Sequence, residues 1–357
     1  GIMTVSDLET IEVRPDEKVD LTRLEPWLRE NLEGAEGPVS LRQFGGGHAN
    51  LTYLLNFGER EFVLRRPPLG HIAPSSHDMS REHRILSRLW RQWDMAPRSY
   101  VLCTDHDILG ADFHVLERRH GFVLRATNPE VTDGKPELCR RIGEMTADVL
   151  ASFHMVDTDK AGLGDLGRPE GFVERQVGGW SKRWDAALDE TSPDASTVMA
   201  WFQADIPAAQ AATLVHNDYK LDNIMVAHDD PARAVAVLDW DMCTRGDPLL
   251  DLANLVIYWS EASDNEVWRR AVYMPTDKPG FPSRAELVAR YAEKTGFDVS
   301  RFGWYEAFGT FKVAVILQQI YIRYLRGQTR DERFAILGDR VKALLLRCED
   351  LMARNQS

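Results

Sequence analysis

The sequence predicts an α+β chain in two lobes: a small N-terminal lobe on a five-stranded antiparallel sheet with one main helix, and a larger, mainly helical C-terminal lobe. Three observations lead there. At 357 residues the chain is long for a single compact core and suits two. In the first third, short apolar runs alternate with polar residues at the period of strands. After Gly121 the apolar spacing becomes helical, broken only by three short runs near residues 213–238. The expected boundary lies near Arg118–Gly121, giving lobes 1–118 and 119–357.

Taken in order, Asp20 or Thr22 opens a short amphipathic helix through Trp27, Leu28 and Leu32, closed by Gly34 and Gly37. Val39–Phe44 alternates as a half-buried strand does, and Gly45-Gly46-Gly47 then turns the chain. Leu51–Phe57 and Glu61–Arg66 read as a hairpin about Gly58, stopped by Pro67-Pro68. Met79–Trp93 has helical spacing at Ile85, Leu86, Leu89, Trp90 and Trp93, and Tyr100–Cys103 and Phe113–Leu116 complete the sheet. The second lobe should hold helices over Glu137–Met155, Phe172–Leu188, Pro248–Trp259, Arg284–Thr295, Arg301–Leu325 and Asp331–Asn355. Strands are expected at Thr213–Val215, Ile224–Val226 and Ala234–Leu238. Pro275, Pro279, Gly280 and Pro282 mark Glu261–Pro282 as an irregular insertion.

Composition narrows the partners. Apolar residues make up 44% and charged residues 27%, ordinary for a globular protein. A net charge of -12 argues against nucleic acid or a membrane surface as partner, since both need clustered Lys and Arg. The four cysteines, Cys103, Cys139, Cys243 and Cys348, are widely spread, as reduced thiols of a cytoplasmic protein are. No secretory leader is visible, and no apolar run approaches the ~18 residues of a membrane helix.

The chemistry concentrates between His216 and Asp241. His216-Asn217-Asp218-Tyr219-Lys220-Leu221-Asp222-Asn223 is followed by Leu238-Asp239-Trp240-Asp241. A base, a cation and oxygen ligands for a metal at these offsets are what ATP-dependent phosphoryl transfer requires, because that reaction asks for positioning and charge stabilisation. Asp218 would orient the acceptor hydroxyl, and Lys220 would meet charge on the transferred group. Asn223 and Asp239 would hold magnesium, with Asp241 a second candidate if the strand continues past Asp239. His216 and Trp240 read as loop organiser and packing residue. Asp247 and Asp251 read as helix-start carboxylates, with Asp251 also able to brace the catalytic loop.

The first lobe offers nucleotide contacts. Gly45-Gly46-Gly47-His48-Ala49-Asn50 sits between strands, where Gly46 and Gly47 could cradle phosphates, or simply turn a hairpin. Arg65 shares a strand face with Val63, can reach phosphates and can pair with Glu82, whereas Arg66 points the other way. Main-chain groups at Leu116-Glu117-Arg118 could meet an adenine edge.

Together these residues resemble the aminoglycoside phosphotransferase and choline kinase family, which has the protein-kinase-like fold. The motif His216, Asp218, Asn223, the Asp239-Trp240-Asp241 step and the Gly246-Asp247-Pro248 turn carry the likeness. Phe44-Gly45-Gly46-Gly47, Phe62-Val63-Leu64-Arg65, Arg81–Leu86 and Val115–Arg118 extend it in order along the chain. The stretches Val63–Pro68, Val173–Trp180 and Phe311–Leu317 resemble the branch found fused to acyl-CoA dehydrogenases. The resemblance implies ATP and magnesium, a nucleotide-binding lobe over 1–118 and a catalytic and substrate-binding lobe over 119–357. For this branch it implies a hydroxyacyl-CoA acceptor such as 4-hydroxyacyl-CoA. Arginine at position 65, where many relatives have lysine, is a departure shared by choline-kinase-like members.

Arg175, Gln176, Trp180, Arg183 and Lys312 are the expected acceptor-pocket residues. Lys312 lies in an apolar helix pattern, where a cation either snorkels or serves a ligand. An aminoglycoside acceptor is the competing expectation, but a polycation calls for an acidic pocket, and this helix carries Arg175, Lys182 and Arg183. A catalytically inactive nucleotide-binding scaffold is the third, set against the presence of Asp218, Asn223 and Asp239.

Overall fold

The computed structural model describes residues 10–45, 50–69 and 78–355. The phosphate-loop candidates Gly46 and Gly47 lie outside the described residues. The chain divides into two units: residues 1–123, 157–164 and 223–243 in the first, and 124–156, 165–222 and 244–357 in the second.

The first unit opens with strand β1 (Thr10–Ile11) and helix α1 (Leu21–Asn31), whose N-cap Asp20 accepts from the Thr22 amide. Strands β2 (Val39–Phe44), β3 (Leu51–Phe57) and β4 (Arg60–Arg66) follow, then helix α2 (Met79–Leu89), β5 (Ser99–Cys103), α3 (His106–Leu109) and β6 (Phe113–Glu117). The sheet is antiparallel, in the order β1-β2-β3-β4-β6-β5. The five expected strands are present, and β1 adds a sixth that is too short to show a period. Gly58 turns the β3–β4 hairpin at φ +59°, a conformation glycine tolerates without a Cβ penalty.

Strand alternation separates the sheet's two faces. Tyr53, Leu55, Phe62, Leu64, Phe113 and Val115 form one core with Leu24 and Leu28 of α1. The intervening residues Thr52, Arg65 and His114 point the other way, toward Glu82 on α2. Sequence alternation thus decides which side chains are free for chemistry.

Strand β7 (Phe122–Val123) leaves the sheet. Gly121 precedes it because a Cβ there would stand 2.4 Å from the Val226 carbonyl. The second unit continues with α4 (Pro136–His154), α5 (Phe172–Ala186), α6 (Ser196–Ala204) and β8 (Thr213–Val215). β9 (Ile224–Val226) and β10 (Ala234–Val237) return to the first unit and make a three-stranded sheet with β7. β11 (Thr244–Gly246) then pairs with β8, and helices α7 (Pro248–Ile257), α8 (Glu266–Ala271), α9 (Arg284–Thr295), α10 (Phe302–Leu325) and α11 (Leu337–Arg354) complete the chain. Phe202 of α6 packs edge-on against Trp304 and Phe308 of α10 in the second core.

Sequence reading missed α6, and it described Glu261–Pro282 only as irregular. That segment contains α8, whose Trp268 is buried, and Arg284 ties it down through Glu261 (3.0 Å) and Asp264. Pro275, Pro279 and Pro282 all lie beyond this helix. All four cysteines are buried free thiols. Among the described residues no helix is long and apolar enough to cross a membrane.

Candidate active site

The catalytic loop leaves β8 and is held from beneath. Asp251, in the first turn of α7, is fully buried. Its Oδ2 accepts from the His216 amide at 2.7 Å and lies 2.9 Å from His154 Nε2, while Oδ1 accepts from the Asn217 amide at 2.8 Å. Burial works to raise its pKa, yet the bond from His154 and the contributions of His154 and His216 outweigh it, so the carboxyl stays below its ordinary range. His154 is itself held by the Tyr291 hydroxyl at 2.7 Å. Asn217 adopts φ +71°, a left-handed strain that the Asp251 bond stabilises.

The loop is tied at further points. His216 Nδ1 accepts from the Asp218 amide at 3.1 Å, so His216 organises the loop. The buried Tyr219 hydroxyl donates to the Thr146 carbonyl at 2.6 Å, and Asn254 Nδ2 donates to the Tyr219 carbonyl at 2.9 Å. Against this frame the Asp218 side chain is 40% exposed, able to meet a substrate without unfolding anything. Lys220 Nζ lies 3.7 Å from Asp218, 4.0 Å from Asp222 and 4.5 Å above the Tyr258 ring. Burial pushes the Tyr258 hydroxyl up to about 12, against the pull of Lys220. His154, Asn254 and Tyr258 went unnoticed in the sequence. Asn254 carried a signal, sitting one helical turn after Asp251 on the same face.

Glu82, buried on α2, pairs with Arg65. The closest approach is Arg65 Nε to Glu82 Oε1 at 2.7 Å, off the N–H axis, and the aligned hydrogen bond runs from Nη2 to Oε2 at 3.3 Å. Arg65 Nη1 is left beside Thr52 Oγ1 (3.4 Å) and Asp239 (4.0 Å). Burial opposes the charge on Glu82, but Arg65 and the hydrogen bond from His114 hold the carboxyl down at about 2. Burial also opposes the charge on Arg65, and Glu82, Asp239 and Asp241 overcome it. Arg66 faces the other way and donates to the Pro67 and Leu109 carbonyls.

The proposed metal residues share a second anchor. The Asn223 carbonyl accepts from the Leu238 amide at 2.8 Å, which sets Asn223 beside the residue before Asp239. β10 ends at Val237 and Asp239 adopts φ +61°, so strand alternation does not place Asp241, contrary to the expectation from sequence. Asp241 is nonetheless near enough to raise the Arg65 pKa. Arg81 on α2 donates to the Cys243 carbonyl through Nε (3.1 Å) and Nη2 (2.9 Å), fixing the turn after Asp241. Trp240 packs edge-on against Trp93, as a core residue.

The Glu117 amide and carboxylate are engaged within the lobe. Its amide donates to the Arg98 carbonyl (2.8 Å), and its carboxylate accepts from the Arg98 amide (3.1 Å) and pairs with Arg119 (3.1 Å). Arg175 likewise caps the preceding loop through the Glu170 carbonyl (2.5 Å) and the Arg168 carbonyl. Gln176 accepts from Trp180 Nε1 at 3.2 Å. The Trp180 ring then lies beneath two cations, Arg183 at 4.4 Å and Lys312 at 5.4 Å. Burial lowers the Lys312 pKa, opposed by Asp251 and Asp218.

The depressed Glu82 carboxyl predicts acid sensitivity. A group titrating at about 2 when folded and near 4.5 when unfolded adds stability that is complete above pH 4.5. That stability drains away as pH falls toward 2, a loss on the order of 3 kcal/mol. Circular-dichroism melts between pH 6 and 3 should show Glu82→Gln losing less Tm than the parent over that window. Parallel curves would refute the assignment.

Comparison with known proteins agrees with this arrangement. The family model described as the phosphotransferase enzyme family matches residues 40–301. The chain is 31% identical over 344 residues to acyl-CoA dehydrogenase family member 11 of Mus musculus, covering 94% of this chain and 44% of that protein. It thus spans under half the length of that curated relative. A solved structure from Ralstonia eutropha JMP134, provisionally described as an aminoglycoside phosphotransferase, is 28% identical with a TM-score of 0.82, over 95% of this chain and 100% of that one. The aminoglycoside phosphotransferase APH(4)-Ia, solved with ADP and hygromycin B, is 17% identical with a TM-score of 0.58, over 95% and 100% of the two chains, a likeness of fold alone. With a family match across most of its length, the chain belongs to the phosphotransferase enzyme family and is a small-molecule kinase of protein-kinase-like fold.

Proposed function

We propose that this kinase moves the γ-phosphate of ATP, bound with magnesium, to the hydroxyl of a small anionic metabolite, of which a 4-hydroxyacyl-CoA is the favoured example. Asp218 accepts the hydrogen bond of the acceptor hydroxyl and orients it, and Lys220 meets charge on the transferred group. Arg65 serves the nucleotide phosphates. Asn223 and Asp239 hold the cation, assisted by Asp241. Among the described residues no group of three or more His, Cys, Asp or Glu side chains makes a ready metal cage. A cation held by two side-chain oxygens takes its remaining ligands from water and phosphate, which suits magnesium.

The observation that carries the acceptor class is the pair of cations at Trp180. Lys312 and Arg183 share one ring, and Lys312 is coupled electrostatically to Asp218. Among the described residues no carboxylate forms a salt bridge with Lys312. A half-buried ammonium in that position favours an anionic ligand group and repels a polycation such as an aminoglycoside. The likeness to an acyl-CoA dehydrogenase family member supports a CoA-linked acceptor.

The test is a screen of hydroxyacyl-CoAs against aminoglycosides with ATP, read by mass spectrometry for a phosphate mass gain. Turnover of a hydroxyacyl-CoA, lost on chelating magnesium and weakened at least tenfold in KM by Lys312→Met, is expected. Preferred phosphorylation of an aminoglycoside would overturn the reading.

A further inference from the structure

Behind the Glu82–Arg65 pair lies a chain of buried polar groups that phosphoryl transfer itself does not call for. His114 is fully buried on β6, and its Nε2 is 3.1 Å from Glu82 Oε1. Its Nδ1 is 2.8 Å from the Ser99 hydroxyl, which is in turn 2.7 Å from His83 Nδ1 on α2. Ser99 reaches this place through a bulge. Val101 pairs with Val115 on the apolar face, and regular alternation would send Ser99 there too, but the register shift between Ser99 and Val101 sets Ser99 opposite Leu116. The bulge thus turns the hydroxyl to the His114 face.

Resting on the reading of Arg65 as a nucleotide ligand, we propose that His114 and Ser99 are positioning residues, locking the Glu82 carboxylate so that Arg65 presents Nη1 to the nucleotide phosphates. The donors and acceptors fix the order. An ionised Glu82 only accepts, so His114 Nε2 carries a proton. Ser99 has one hydroxyl hydrogen, so it donates to one imidazole and accepts from the other. His83 ends the chain as a neutral ring, pushed down to about 4 by burial, with His114 and Arg88 adding to the effect. With one Glu82 oxygen shared between His114 and Arg65 Nε, the carboxylate cannot rotate without breaking a buried bond. Arg65 is then gripped along one edge, and its opposite nitrogen faces Thr52 and Asp239. An apolar residue at 114 would fill the same space without a polar group to satisfy, so stability alone does not account for the chain.

The test compares His114→Leu, His114→Gln and Ser99→Ala in the full chain, by calorimetric binding of magnesium AMP-PNP and by steady-state kinetics. Leucine should weaken nucleotide binding and raise the ATP KM about tenfold, with kcat and the acceptor KM nearly unchanged. Glutamine should restore most of the loss, because its amide can donate to Glu82 and accept from Ser99. Ser99→Ala, the smaller change, should raise the ATP KM about threefold and carries the test if the leucine variant does not fold. Parental nucleotide affinity in the leucine variant, or equal losses in the leucine and glutamine variants, would overturn the proposal. A parent chain that binds no magnesium AMP-PNP would instead overturn the nucleotide reading on which it rests.

Discussion

Asp218→Ala is expected to lower kcat by about a thousandfold while leaving affinity for magnesium ATP within about threefold. The separation follows from where the loop's strength lies. The Asp218 amide is held by His216, and the loop backbone by Asp251 and Asn254, none of which needs the Asp218 carboxylate. The carboxylate is 40% exposed, and these anchors of the loop do not run through it, so Tm should move far less than kcat. What is lost is the acceptor that aligns the substrate hydroxyl, and Lys220 loses the carboxylate 3.7 Å from its Nζ. Single-turnover kinetics with saturating ATP isolates this step. Retained turnover would remove Asp218 from the role assigned to it.

How much of this was legible in the sequence depends on the range of each interaction. The hairpin signature over Leu51–Phe57 and Glu61–Arg66 located the strands, and alternation put Arg65 and Arg66 on opposite faces, as the structure has them. Asp20 as N-cap and the Gly58 hairpin were equally local signals. The limits appeared where a side chain's meaning depends on a residue far along the chain. His114 alternates among apolar neighbours and reads as one more strand residue, and its partners, Glu82 on Nε2 and, through the bulge, Ser99 on Nδ1, lie elsewhere in the chain. His154 ends an ordinary amphipathic helix, and its partner Asp251 lies 97 residues further along the chain. Asp241 shows the converse limit. Its side was read on the condition that the strand continue, and the strand ends at Val237, after which Asp239 turns into the left-handed region and alternation no longer applies.

Asp251→Ala should destabilise the chain by about 3–5 kcal/mol, more than any other single change considered, because one buried carboxylate holds three donors. Two of them are the consecutive amides of His216 and Asn217, and the third is His154 Nε2. Asn217 sits at φ +71°, and without its acceptor the loop has no reason to keep that conformation. Asp251→Asn dissects the effect. The amide oxygen can still accept from Asn217, and its NH2 can donate to His154 if that ring moves its proton to Nδ1 and donates to Tyr291. The His216 amide then faces a second donor and is orphaned, an expected loss of about 1–3 kcal/mol. Urea titrations should therefore order the midpoints as parent, asparagine, alanine. At a temperature where the asparagine variant is folded, kcat should fall with nucleotide affinity unchanged, because the amide that faces the wrong partner belongs to the residue two before Asp218. Equal midpoints for asparagine and parent would mean that the charge on Asp251 is not what holds the catalytic loop.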